Sequence, residues 1–81
     1  MRKREIYQKI KRAPANVKFE DISAIVEMFG FRPRGGKGSH RIFVRNGIRD
    51  VLNFQNVRGM VKPYQVKQLV KIIEKYNLLE E

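Results

Sequence analysis

Eighty-one residues make one small domain, which buries only roughly 60–65% of the surface its unfolded chain exposes and leaves little room for a deep cofactor pocket. Eighteen Lys and Arg against eight Asp and Glu give a formal net charge of +10, which favours a polyanionic partner, with nucleic acid ahead of an anionic membrane surface. There is no cysteine and one histidine, which excludes disulfides, thiolate metal sites and a zinc-ligand cluster, and fits a reducing cytoplasm.

The opening Met1-Arg2-Lys3-Arg4 is basic, but no apolar run long enough for a signal peptide or a membrane span follows it. The expected location is therefore the cytoplasm. Arg2 to Arg12 reads as a short helix with Ile6 and Ile10 one turn apart, broken by Ala13-Pro14-Ala15-Asn16. A second helix is predicted from about Phe19 to Phe29. Phe19, Ile22, Ile25, Val26 and Phe29 share one face, Glu20 and Asp21 stand in the first turn, and Gly30 is the stop.

A β region follows. Phe31 to Arg34 is a short predicted strand, and Pro33 places it at an edge. From His40 to Arg45 the chain alternates, with His40, Ile42 and Val44 on one face and Arg41, Phe43 and Arg45 on the other. Asn46-Gly47 is a hairpin signal of the type I′ kind, and a return strand is expected from about Ile48 to Gln55. Asn56 to Lys62 reads as a loop. Pro63 fits the first position of a last helix, which runs to about Tyr76 and buries Val66, Leu69, Val70, Ile73 and Tyr76. The tail, residues 77–81, is expected to fray. The sum is one α+β domain, a three-stranded antiparallel sheet with helices on one face and a short extra N-terminal helix.

The chemistry-bearing stretch is Arg34-Gly35-Gly36-Lys37-Gly38-Ser39-His40. Its glycines let backbone approach an anion closely and adopt positive φ, and successive amides in such a turn can form an anion-binding nest. Lys37, Arg34 and Arg41 add charge around it. It is not a nucleotide-binding P-loop, because Gly38 separates Lys37 from Ser39 and a strand follows instead of a helix. The plainer alternative is a soluble hairpin turn.

His40 is the one side chain here whose ordinary pKa lets it exchange a proton near neutral pH. It reads either as a half-buried strand residue tied to backbone or as a proton donor or acceptor at a scissile phosphodiester. RNA carries its own nucleophile, the 2′-hydroxyl, so cleavage needs a base, an acid and cations for the charged phosphorane. Ser39 is a poor nucleophile candidate, because an adjacent strand residue points away from it. Lys67, Lys71 and Lys75 recur every four residues on the last helix, as a solvated face or as a track for RNA phosphates. Arg45, Arg49 and Arg58 extend the basic surface, and Tyr64 and Phe43 are the aromatic candidates for base stacking.

These elements in this order resemble the HicA toxins of bacterial toxin–antitoxin systems. The resemblance spans roughly residues 19–76. It rests on a helix ending in Phe29-Gly30-Phe31, a basic loop carrying Gly38-Ser39-His40, the strand Ile42-Phe43-Val44, a hairpin, and Lys62-Pro63-Tyr64-Gln65-Val66-Lys67. It implies an α-β-β-β-α fold related to double-stranded-RNA-binding domains, ribonuclease activity against mRNA that arrests growth, and a HicB-like antitoxin that covers the active site. It maps the catalytic histidine onto His40, with Gly38 and Ser39 as the framing motif. The chain departs from the family in two places. Residues 54–59 hold no second histidine, and residues 1–18 extend beyond the compact core of shorter members.

The sequence therefore predicts a metal-independent endoribonuclease without a cofactor. His40 is its general acid or base; Lys37, Arg41 and Arg34 are its phosphate ligands. The alternatives are a non-catalytic RNA-binding module of the same fold and a basic structural protein such as a ribosomal one.

Overall fold

The computed structural model describes residues 2–81, so Met1 of the basic opening lies outside the described residues. Two short helices come first: α1 (Lys3–Arg12) and α2 (Ile22–Glu27). A four-stranded antiparallel meander follows, β1 (Arg32–Gly35), β2 (His40–Val44), β3 (Leu52–Val57) and β4 (Met60–Val61), paired in the order β1-β2-β3-β4. Helix α3 (Pro63–Lys75) completes the layer that covers one face of the sheet. The α+β class is as expected; the sheet has a fourth strand where a loop was expected. No helix among the described residues is long and apolar enough to cross a membrane.

Helix α2 is entered through a 3₁₀ turn at Phe19–Asp21, so the predicted helix from Phe19 opens with three 3₁₀ residues before six α-helical ones. It ends as Gly30 foretold. Gly30 has φ +85°, its N–H donates to Glu27 O at 3.0 Å, and Phe31 N–H donates to Val26 O at 3.1 Å. This pair of bonds is a Schellman motif, and buried Phe31 and Val26 supply its apolar contact. The motif turns the chain directly into β1.

Alternation along β2 and β3 decides which face is covered. Phe43, Leu52 and Phe54 are fully buried, and Phe43 meets Phe54 edge to face with ring centroids 6.0 Å apart. They pack on Phe29, Phe31, Val66, Leu69 and Ile73 from the helical layer. Residues of opposite parity, His40, Ile42, Val44 and Asn53, therefore share the uncovered face.

The β2–β3 connection differs from expectation. The register pairs Phe43 with Leu52 and Arg41 with Phe54. A two-residue turn at Asn46-Gly47 would instead set Phe43 opposite Asp50 and put a carboxylate on the core face. A turn does close at Asn46-Gly47, with Ile48 N–H donating to Arg45 O at 3.1 Å and Gly47 at φ +87°, but the connection runs on and β3 starts at Leu52, not Ile48. The turn with two positive φ angles is Arg58-Gly59 (φ +54° and +87°), which joins β3 to β4 with Val57 opposite Met60.

Residues 2–18 pack into the domain. Ile10 and Val17 belong to the core, Val61 N–H donates to Val17 O at 2.9 Å, and Lys18 pairs with Met60 at the sheet edge. On α1, Tyr7 and Lys11 both bond Glu74 of α3. The tail is ordered rather than frayed. Asn77 turns left-handed (φ +56°), Leu78 is 1% exposed, and the Glu81 carboxylate receives the Arg45 guanidinium.

Candidate nucleic-acid interface

The site grows from the β1–β2 turn. A bulge interrupts the β1–β2 register between Pro33 and Gly35, and the chain then closes on itself through His40 N–H to Lys37 O at 3.0 Å. Gly38 supplies positive φ (+58°) at the first central position of that turn. Gly36 is required for a different reason. With φ +134°, a Cβ added there would lie 2.3 Å from His40 O, so Gly36 backbone rests directly against the histidine's carbonyl. On the other side, Asn56 N–H donates to Ser39 O at 2.7 Å and extends the β2–β3 ladder past the strand end. His40 thus begins β2 with its backbone held from both neighbours. The N–H groups of Lys37, Gly38 and Ser39 donate to no hydrogen bond among the described residues, which leaves them available to an anion.

The imidazole of His40 is half-buried on the uncovered face. Its Nδ1 lies 3.3 Å from Asn53 Oδ1, a diagonal neighbour on β3. With Nδ1–H donating to that oxygen, Nε2 keeps its lone pair and can take a proton. Directly across the ladder stands Gln55. Its N–H, facing the end of β4, donates at 2.8 Å to Oε1 of Gln65, the one buried polar side chain among the described residues. No sequence signal marks Asn53, and Gln65 is visible in this role only as a polar residue beside Val66 on the buried stripe of α3.

The structure separates the residues named as phosphate ligands. Lys37, Gly38 and Ser39 stand in the turn leading to His40, and Arg34 precedes them at the bulge, exposed. Arg41 follows His40 in the strand and therefore turns to the other side of the sheet, where its guanidinium lies 5.5 Å from the Phe19 ring centroid. Arg45 reaches Phe29 O at 2.7 Å and pairs with Glu81. Lys75 pairs with Asp50 at 3.3 Å, while Lys67 and Lys71 line a shallow hollow between α1 and α3. Phe43 is 0% exposed, so it is a core residue and not a stacking platform; Tyr64, 62% exposed beside Lys62, is free to stack.

The site is a surface and not a cavity. Concavities elsewhere on the molecule are lined by other residues, and no group of three His, Asp or Glu that could hold a metal occurs among the described residues. A flat sheet face with a basic turn at its end suits an extended polyanion better than a small molecule. No family model, curated protein or solved structure matches this chain.

Proposed function

We propose that this protein is a metal-independent endoribonuclease of the HicA kind, the toxin of a type II toxin–antitoxin pair. It acts on mRNA in the cytoplasm and is neutralised by a HicB-like antitoxin. The observation that carries this reading is the placement of its single histidine. His40 stands on the uncovered sheet face, oriented by Asn53, one residue beyond a turn whose amides are unoccupied. The meander between helices supports the finer likeness to double-stranded-RNA-binding domains, with β4 and α1 as additions.

In this mechanism the RNA phosphate lies against the Lys37–Ser39 turn, with Lys37 and Arg34 as its cations. His40 Nε2 takes the proton of the 2′-hydroxyl, whose oxygen attacks phosphorus and expels the 5′-oxygen. The products are a 2′,3′-cyclic phosphate and a 5′-hydroxyl end. Positioned proton transfer contributes roughly 10²–10⁴ in rate. Arg41, on the far side of the sheet, steers RNA through its charge without touching that phosphate.

The decisive variant is His40→Ala. Its cleavage rate falls by roughly 10²–10⁴, while its circular dichroism spectrum and RNA affinity stay near those of the parent. Cleavage by the parent persists in EDTA and leaves cyclic phosphate ends; strict dependence on magnesium would overturn the mechanism. One observation favours the second reading, a non-catalytic RNA-binding module. No other acid or base stands within hydrogen-bond reach of His40 among the described residues, so the proton donor to the leaving group is unassigned. Purified protein that binds RNA and never cleaves it decides for that module.

A further inference from the structure

A concavity of about 500 Å³ lies away from His40, between α1, the 3₁₀ turn at Pro14–Asn16 and α2. Its floor is apolar. Ile10, Val17 and Ile25 are core residues that present one side to it, and half-buried Ile6 and Met28 with exposed Ala24 form its walls. Its rim carries Lys9, Arg12 and Lys18 against one acid, Asp21. None of the three cations is in an ion pair among the described residues. An apolar floor between two helices beneath a cationic rim is the shape that receives an amphipathic helix, with apolar side chains one turn apart. RNA does not suit that floor. A second copy of this chain would bring another +10 charge to the same rim.

The molecule already holds one segment of the matching chemistry. Leu78-Leu79-Glu80-Glu81 buries Leu78 and sets Glu80 against Arg4 and Glu81 against Arg45. We infer that the α1–α2 cleft is a second docking site, for an amphipathic helix of a partner protein with carboxylates flanking its apolar stripe. The site lies in the helical layer, so its occupant leaves the uncovered sheet face and His40 free. The inference does not rest on the nuclease reading.

The test uses the full chain and a fluorescently labelled synthetic helix with leucines one turn apart and glutamates beside them. Anisotropy reports saturable binding, and amide shifts concentrate at Ile6, Ala24 and Met28. A peptide with lysine for glutamate, or serine for leucine, binds at least tenfold more weakly. Reversing the three rim charges (Lys9→Glu, Arg12→Glu, Lys18→Glu) weakens the acidic peptide by roughly tenfold or more, given a few tenths to one kcal/mol per exposed pair. Ala24→Phe, which fills the cleft, also blocks binding and leaves RNA cleavage or binding unchanged. The charge-reversed protein keeps the test open if Ala24→Phe fails to fold. Equal binding of the serine or lysine peptide overturns the inference, as do shifts centred on the 36–40 turn, indifference to charge reversal, or self-association through the cleft.

Discussion

Gly36 and Gly38 sit two residues apart and carry different constraints. Gly38 needs only its left-handed φ, and a Cβ there meets nothing within 4 Å. Alanine at that position costs the left-handed penalty, about 1–2 kcal/mol. Gly36 needs both its φ and its emptiness, because the added Cβ would press on the His40 carbonyl. Gly36→Ala is expected to lower the melting temperature more than Gly38→Ala, at about 4–8 °C per kcal/mol for a domain of this size. At a temperature where both variants are folded, Gly36→Ala also loses cleavage about tenfold or more, because its strain is relieved by moving His40, and small misplacements of a reacting group are costly. Equal activity in the two variants would show that the Gly36 contact does not position the histidine. The sequence makes the glycines visible and leaves this division of labour hidden, since the contact crosses from the turn to the first residue of the next strand. The sequence likewise shows that His40 and Arg41 alternate. Apolar side chains on both faces of β2 conceal which one is covered, and with it the departure of Arg41 from the histidine's side.

Elements α1 and α3 are joined at the surface by Tyr7, Lys11 and Glu74, and the β2–β3 connection is tied to α3 by Asp50, Tyr76 and Lys75. Glu74 is held below its ordinary 4.5 by the Lys11 hydrogen bond and then by Tyr7. Asp50 is held below its ordinary 3.8, first by the Tyr76 hydroxyl and then by Lys75. Glu81 is held below its ordinary 4.5 by Arg45. A carboxyl with a depressed folded pKa contributes stability above its unfolded pKa and loses it as pH falls through the folded value. The melting temperature is therefore expected to hold between pH 7 and 5 and to fall on further acidification. Glu74→Gln combined with Asp50→Asn lowers the plateau and flattens the acid limb, so the two profiles converge at low pH. Parallel profiles would show that these bonds do not couple the elements. The same ties explain the limits of sequence reading at this scale. Helices, the Gly30 stop and Pro63 were legible because propensity and periodicity are local signals. The turn at Asn46-Gly47 forms, but the tight hairpin register it would set yields to a non-local demand: Leu52 opposite Phe43 keeps Asp50 out of the core and free to meet Tyr76. The tail failed as an expectation for the same reason, since Leu78 finds its core contacts only once α1 and α3 are packed.

Charge is distributed unevenly over the molecule. Residues 28–62, which make the sheet and its turns, hold eight of the eighteen basic residues and one of the eight acids, and so carry +7 of the net +10. That one acid, Asp50, is bonded to Tyr76 and Lys75. The helical segments hold ten basic residues and seven acids, and three of the four ion pairs among the described residues join a helical cation or Arg45 to a carboxylate of α3 or the tail. The net charge is therefore concentrated in the sheet segment, and under the proposed function this charge draws RNA to the 34–40 turn ahead of the helices. Single-stranded RNA releases counterions with a log–log salt slope of about −0.7 per phosphate neutralised. Measured on the non-cleaving His40→Ala protein, Arg34→Ala and Lys37→Ala should each make the slope shallower by about 0.7. Lys9→Ala and Arg12→Ala, on the cleft rim of the helical layer, should leave it unchanged. An equal loss of slope from all four substitutions would mean that the net charge acts as a uniform cloud and that the sheet side is no preferred track. A loss confined to the helical pair would move the RNA to the opposite face of the molecule and remove His40 from the reaction.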